Sequence, residues 1–311
     1  MDQEQTNDFF KDIQHKIAQL IEPFQKLDER IQSLELWGQR QDQDTLLKWI
    51  FSEDMVGRQV DMRNKGKQYR LPDSEVQLPG PGEWFLGSPA YREWQNSTTS
   101  QGLILRGTVG TGKSIITSAV IERAYRIYDT AAFGALAYVY CRDGNVRLNP
   151  TGILRSFLRQ LASSETCYSV IEGWLREGNS KALLDNEAVV RLITKIVDLN
   201  SDIQTIIIID GIDEVENTND LARLLQLVDS LTKRKDRRCK VLISSRMGSK
   251  LDEHIDEKLS SWPRHELRDR ETMEDMELFI KLGLDALLSK KVSPKFREDL
   301  EKLLKSRAKG M

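Results

Sequence analysis

Residues 107–114 read Gly107-Thr-Val-Gly110-Thr-Gly112-Lys113-Ser114, and this stretch decides the fold. It fits the pattern G-x-x-x-x-G-K-[ST] at every fixed position. The apolar run Leu103–Leu105 before it predicts a strand, and Ile115–Ile127 after it predicts a helix. Glycines at this spacing let the backbone curl, so that consecutive N–H groups point at phosphate oxygens, and the positive helix end adds to the attraction. The stretch therefore predicts a phosphate-binding loop between a strand and a helix.

Each residue of this loop receives a predicted role. Lys113 supplies a cation for the β- and γ-phosphates of a nucleotide, and the Ser114 hydroxyl is a predicted Mg²⁺ ligand. The other predicted nucleotide-binding residues of the loop are Gly107, Thr108, Val109, Gly110, Thr111 and Gly112.

A second motif supplies the acidic groups that such a site requires. Residues 205–214 read TIIIIDGIDE, and the four isoleucines predict a buried strand that ends at Asp210. Because Mg²⁺ prefers carboxylate oxygens, Asp210 is the second predicted metal ligand. Asp213 and Glu214 follow after a glycine turn, and one of them is predicted to polarise the attacking water. The sequence does not choose between them.

A third motif, Lys240–Arg246, reads KVLISSR and ends in two hydroxyls and an arginine. Ligands of open α/β sheets bind at the carboxyl ends of the strands, where Arg246 is expected to lie. We therefore predict that Arg246 contacts the γ-phosphate and senses its presence.

Strand-like and helix-like patterns alternate through the central part of the chain. Such alternation predicts an α/β fold of the P-loop NTPase type, a three-layer structure whose parallel sheet has helices on both faces. The predicted strand Ala135–Cys141 falls between the first two motifs in the chain, as in NTPases that carry their own catalytic acid. The nearest approach to the guanine-selecting N/T-K-x-D is Thr232–Lys235, where the acid comes one place late, so we predict ATP/ADP with Mg²⁺ rather than guanine nucleotides.

Composition narrows the function classes. The 311 residues carry 46 Lys+Arg and 48 Asp+Glu, for a net charge of −2. This balance provides no overall basic field, so we expect no nucleic-acid partner. The polar N-terminus does not resemble a targeting peptide, and no apolar run is long enough to span a bilayer. The three cysteines have neither disulfide nor zinc spacing, and we expect a cytoplasmic protein without membrane contact.

Four regions are expected along the chain. Residues 1–40 form an amphipathic helical arm with a heptad seam from Ile13 to Leu34, which Pro23 interrupts. Residues 41–100 form a helical lead-in and linker that contains the segment GPGEWFL. Residues 101–268 form the NTPase domain, and residues 269–311 form the start of a C-terminal helical region.

The three motifs together resemble a NACHT domain of the STAND class of signalling NTPases. The similarity is closer to fungal NACHT proteins, whose lead-in has the form GTG-x-WFL-x-S-x-EF-x-x-W; Gly80–Trp94 reads GPGEWFLGSPAYREW here. Leu46–Trp49 is similar to the tryptophan helix that precedes this lead-in, and the resemblance covers residues 44–311. The chain departs from the pattern at Pro81, where the family tends to have threonine, and in a longer segment from Lys65 to Pro79.

The resemblance implies a switch driven by ATP: a closed ADP-bound monomer exchanges nucleotide and then oligomerises. It also implies that the lead-in contributes to the adenine pocket, which makes Gly82 and Trp84 predicted nucleotide-binding residues. The family's winged-helix and repeat regions do not follow Met311, so we expect a fragment, a truncated product or a short paralogue.

Two hypotheses of different kinds fit these observations. The first is a Mg²⁺-dependent NTPase module of a signalling switch, with slow ATP hydrolysis coupled to oligomerisation, in fungal self/non-self recognition or programmed cell death. The second is an interaction module in which the heptad helix binds a partner protein or another copy, while the nucleotide site is structural. A metabolic kinase or helicase is disfavoured, because no acceptor-substrate motif or basic aromatic stripe is visible.

Overall fold

The structure is a computed structural model that describes the chain in separate ranges. They are residues 44–48, 50, 57–61, 63, 82–128, 136–143, 146–163, 165–178, 184–199, 204–215, 218–234, 238–249, 251–268, 272–273, 275–277, 280–281, 284, 288 and 293–308. The chain divides into two compact units, Met1–Trp49 and Ile50–Met311. In the first unit, residues 44–48 are helical, and the predicted heptad arm lies outside the described residues. The sheet and the other described helices belong to the second unit.

A parallel sheet forms the centre of the second unit. Its strands are β1 (Gln101–Gly107), β2 (Leu136–Tyr140), β5 (Thr205–Asp210), β6 (Cys239–Arg246) and β7 (Arg264–Glu266), in the spatial order β2-β5-β6-β1-β7. All neighbouring pairs are parallel. In space, β6 lies between the phosphate-loop strand β1 and the acidic strand β5, whereas β2, which comes between them in the chain, lies at an edge. The two remaining strands, β3 (Arg142–Asp143) and β4 (Val146–Arg147), form a small antiparallel hairpin.

One face of the sheet is covered by the helix that follows the phosphate loop. Helices α1 (Glu83–Leu86), α2 (Pro89–Asn96) and α3 (Lys113–Tyr128) lie on this face. Alternate strand residues point towards them, including Leu103, Ile208 and Leu242, and join Ile116 and Val120 of α3 in one buried cluster. Complete burial of such a side chain contributes about 1.5–3 kcal/mol.

The opposite face is covered by a second group of helices. They are α4 (Pro150–Leu161), α5 (Glu165–Arg176), α6 (Asn186–Leu199) and α7 (Thr218–Thr232). α4 contacts β2, α6 and α7, and α7 contacts β1 and β6. The start of α4 shows why the sequence folds this way: Asn149 accepts a hydrogen bond from the Gly152 N–H at 2.7 Å, and proline follows it at the first helical position. The predicted three-layer α/β fold of the P-loop NTPase type is therefore confirmed.

Two further helices of the second unit are α8 (Asp252–Lys258) and α9 (Pro294–Ala308). Residues 57–61, 63, 272–273, 275–277, 280–281 and 284 are helical as well. The predictions did not include α5, α8, the β3–β4 hairpin or β7. β7 has only three residues and its burial pattern is mostly exposed, so it carries no apolar signal. Among the described ranges, none of the helices combines the length and the apolar character that crossing a membrane requires.

The outer edge of β2 is closed by two glutamine side chains. Gln59 accepts from the Tyr140 N–H at 2.6 Å and donates to the Tyr140 carbonyl at 3.1 Å. Gln160 makes the same pair of bonds with Tyr138, at 3.0 and 2.7 Å. Each carboxamide thus takes the place of a peptide group in a neighbouring strand. The backbone N–H and C=O groups of Tyr138 and Tyr140 that the two carboxamides bind lie on the same, outer side of β2.

Candidate nucleotide-binding site

A cavity of about 560 Å³ opens at the carboxyl ends of β5 and β6. We call it the phosphate-loop cavity. Predicted site residues from all three motifs line it: Val109, Gly110, Gly112, Lys113, Ser114, Asp210, Asp213, Glu214 and Arg246. Residues that are far apart in the chain meet here because β1, β5 and β6 are parallel neighbours and end at the same edge of the sheet.

The phosphate loop has the backbone conformation that its glycines permit. Gly110 and Gly112 have φ angles of 83° and 77°, in the left-handed region that disfavours side chains. Gly107 is required for a different reason, because a Cβ there would lie 2.6 Å from the Thr111 hydroxyl. The Thr111 hydroxyl itself donates to the Thr108 carbonyl at 2.9 Å. Gly107, Thr108 and Thr111 therefore shape the loop, although they do not line the cavity.

Lys113 is the first residue of α3 and folds back over the loop. Its Nζ donates to the carbonyls of Gly107 at 2.8 Å and Thr108 at 2.6 Å. Burial lowers the pKa of Lys113, while the charges of Asp213 and Asp210 act in the opposite direction. These contacts hold the ammonium group at the loop, where a phosphate would approach.

Asp210 is buried at the tip of β5, where hydroxyl groups surround it. Its Oδ1 accepts from Thr117 at 2.9 Å and from Ser244 at 2.6 Å. Burial raises the pKa of Asp210, whereas hydrogen bonds from Ser114, Ser244 and Thr117 act against that rise. Ser114 and Asp210, the two predicted metal ligands, therefore line the same part of the cavity.

These two residues fit a magnesium ion by the chemistry of their donor atoms. Both offer hard oxygen ligands, and a buried carboxylate whose pKa is raised by burial gains from a nearby cation. Among the described residues, no group of three or more His, Cys, Asp and Glu side chains could hold a metal. Magnesium commonly takes only one or two carboxylates and completes its shell with water and substrate phosphates, so this donor set is sufficient.

Asp213, Glu214 and Arg246 form an ion-paired cluster on the cavity wall. Asp213 accepts from the backbone N–H of Arg246 at 2.9 Å, and its Oδ2 lies 3.3 Å from Arg246 Nε. Arg246 also pairs with Oε1 of Glu214. The Asp213 side chain is 4% exposed and that of Glu214 is 16% exposed. Asp213 thus fixes the end of β6, while Glu214 reaches further towards the cavity.

Arg142 is a cavity residue that the sequence motifs do not include. It lies 3.3 Å from Oε2 of Glu214 and lines the same cavity. The signal that could have identified it is its position directly after a predicted strand, which is the argument that selected Asp210 and Arg246. No pattern of fixed residues points to Arg142, so the motifs alone did not predict it.

Gly82 and Trp84 lie outside the cavity lining. The Gly82 N–H and the Trp84 indole N–H both donate to Oδ2 of Asp275, at 2.6 and 2.9 Å. A Cβ on Gly82 would lie 3.0 Å from Ile116 Cα, which brings this segment against the first turns of α3. The structure therefore places the two residues beside the phosphate-loop helix and joins them to the C-terminal region. Their predicted adenine contact stays a prediction.

We expect Gly82→Ala to lower the free energy of unfolding by about 2 kcal/mol, more than Gly178→Ala. Both glycines have left-handed φ angles, 80° and 85°, so both substitutions introduce a similar backbone strain of about 1 kcal/mol. An added Cβ at Gly82 would lie against the backbone of Ile116, whereas nothing lies within 4 Å of an added Cβ at Gly178. Urea unfolding of the two variants measures the difference. Equal losses would contradict the close approach of Gly82 to α3.

Comparison with known proteins gives one family and several distant structural likenesses. The sequence profile of a family described as Nephrocystin 3, N-terminal, matches residues 80–246, which is more than half of the chain. No curated protein matches.

Among solved structures, the Aeropyrum pernix ORC2 protein (ADPNP-ADP complexes) is similar at 16% identity and a TM-score of 0.43, covering 70% of this chain and 54% of that one. The Aeropyrum pernix ORC1 protein in complex with DNA has 13% identity and a TM-score of 0.45, covering 75% and 56%. Domain III of the Thermotoga maritima replication initiation protein DnaA has 15% identity and a TM-score of 0.39, covering 73% and 81%. This chain spans about half the length of the two ORC chains.

Proposed function

The chain belongs to the family described as Nephrocystin 3, N-terminal, and we propose that it is an ATP-binding, Mg²⁺-dependent NTPase module. One observation carries the proposal: the phosphate loop, the strand-end Asp210, the acidic pair and Arg246 meet around a single cavity. A cavity of about 560 Å³ is of the size that small-molecule sites have, roughly 300–1,000 Å³.

The chain's own residues have distinct roles in this function. The loop backbone and the start of α3 hold the phosphates, and Lys113 leaves its two carbonyl partners to bind the β- and γ-phosphate oxygens. Ser114 and Asp210 would hold Mg²⁺, which neutralises phosphate charge when bound. Arg246 stabilises the terminal phosphate and reports its presence. Positioning and electrostatic stabilisation of this kind account for most of the catalysis of phosphoryl transfer.

Glu214 is our choice for the residue that orients the attacking water. Asp213 is engaged with the backbone N–H of Arg246, and that bond must stay if the end of β6 is to keep its place. Both described partners of the Glu214 carboxylate are arginine side chains of the cavity wall, which can move towards a phosphate. Asp213 is therefore proposed as a positioning residue.

We further place this activity in a NACHT-type signalling switch with slow hydrolysis coupled to self-association, in fungal self/non-self recognition or programmed cell death. The order of the three motifs and the lead-in residues that contact Asp275 support this reading. A cytoplasmic location and the lack of a nucleic-acid partner stay predictions, and the net charge of −2 is the support for the second.

Calorimetric titration of the unmodified chain with ATP, ADP, AMP and GTP, with and without Mg²⁺, tests the proposal. We expect ATP and ADP to bind more tightly than AMP, because the loop binds the β-phosphate. We also expect Mg²⁺ to strengthen ATP binding. Light scattering would show a larger mass with a non-hydrolysable ATP analogue than with ADP. A protein that binds none of the four nucleotides contradicts the proposed function.

A further inference from the structure

Arg142 is placed in the cavity wall by the end of β2. Cys141, which precedes it, donates its N–H to the Asp210 carbonyl at 2.9 Å, so the chain leaves the sheet directly beside the tip of β5. Arg142 then begins β3, and its register pairs it with Arg147 of β4. A strand end and a hairpin thus fix the backbone of Arg142 at the edge of the sheet where Asp210 lies.

The charges that line the phosphate-loop cavity are balanced. The cations are Lys113, Arg142 and Arg246, and the acids are Asp210, Asp213 and Glu214. The Glu214 carboxylate lies between the two arginines, with Oε1 towards Arg246 and Oε2 towards Arg142. A nucleoside triphosphate brings several negative charges into this balanced set, so it must compete with the carboxylates for the arginines.

Both arginine side chains are partly exposed, that of Arg246 at 37% and that of Arg142 at 43%. Arg246 is bound to both acids, and its backbone N–H is bound to Asp213 as well. The Arg142 guanidinium lies 3.3 Å from Oε2 of Glu214. A half-exposed ion pair of this kind contributes little to stability and is exchanged easily. A guanidinium can also bind a phosphate through two parallel hydrogen bonds.

We propose that Arg142 is a further phosphate-binding residue, which exchanges Glu214 for the terminal phosphate of a bound nucleoside triphosphate. The inference rests on the proposed function of the cavity. When Arg142 moves to the phosphate, Oε2 of Glu214 loses a cationic partner and becomes available to orient water. A nucleoside diphosphate lacks the third, γ-phosphate, so Arg142 stays with Glu214. The exchange therefore couples the presence of the third phosphate to the release of the acid that hydrolysis needs.

The test is the affinity of Arg142→Gln for a non-hydrolysable ATP analogue and for ADP, measured by calorimetry with Mg²⁺ present. We expect the analogue to bind about tenfold more weakly, since one charge-assisted contact is lost, and ADP to bind with nearly unchanged affinity. Arg176→Gln is the matched control, because Arg176 is 80% exposed and pairs with Glu172 on α5. The control should bind both nucleotides as the unmodified chain does.

A second measurement tests the exchange itself. Glu214→Gln removes the competing charge, so the analogue should bind several-fold more tightly. This gain should become smaller when Arg142→Gln is added, because the part of it that comes from Arg142 is lost. Equal weakening of ADP and analogue by Arg142→Gln, or no weakening of either, overturns the inference while the proposed function stands. If the unmodified chain binds neither nucleotide, the proposed function fails and this inference fails with it.

Discussion

Replacing Lys113 with alanine is expected to weaken the binding of ATP and ADP by about 100-fold or more. The ammonium group is half-buried at the loop and already points its donors at oxygen atoms, 2.8 and 2.6 Å away. A hydrogen bond between charged groups in such a place contributes about 3 kcal/mol, which corresponds to about two powers of ten in affinity. Calorimetric titration with Mg²⁺ and each nucleotide measures the loss.

Lys302→Ala is the control for this experiment. Lys302 is 70% exposed on α9 and pairs with Glu298, so its removal takes away the same charge at a distance from the loop. Lys113 also bonds to two loop carbonyls, so the fold of its alanine variant must be checked. Circular dichroism should show that both variants keep their helices. A folded Lys113→Ala protein with unchanged nucleotide affinity would remove the basis of the proposed function.

Glu214→Gln is expected to slow ATP hydrolysis by about 10²–10⁴-fold while ATP binding persists, because glutamine cannot accept a proton from the attacking water. The substitution keeps the shape of the side chain and one oxygen that can accept from an arginine. Single-turnover hydrolysis of labelled ATP is the suitable measurement, since it separates the chemical step from product release.

Asp213→Asn provides the comparison for the acidic pair. An amide oxygen can still accept from the Arg246 N–H, so we expect the end of β6 to keep its place and hydrolysis to fall less than in Glu214→Gln. A greater loss in Asp213→Asn would assign the water-orienting role to Asp213. Hydrolysis at the original rate in both variants would show that neither acid takes part.

Much of the cavity could be predicted from the sequence because its residues follow strands. The phosphate loop, Asp210 and Arg246 each come at the end of an apolar run, and the apolar runs are the strongest local signal in this chain. The parallel sheet then brings these ends together, so a one-dimensional pattern was sufficient to foresee a three-dimensional cluster.

The contacts that were missed depend on side chains that meet across the fold. Asp275 binds Gly82 and Trp84 from more than 190 positions away in the chain, and no local residue spacing predicts these hydrogen bonds. Likewise, the choice between Asp213 and Glu214 depends on which of them holds the Arg246 backbone. The short strand β7 joins the sheet only because β1 offers it a free edge, which is a property of the tertiary structure.

The two glutamines on the edge of β2 bear on the colloidal behaviour of the protein. An edge strand with unpaired peptide groups is a template on which strands of other molecules can grow. Gln59 and Gln160 occupy the outward N–H and C=O groups of Tyr138 and Tyr140, so a foreign strand would have to break four hydrogen bonds to add there. In a crowded solution these two positions of the edge therefore resist the addition of a strand from another molecule.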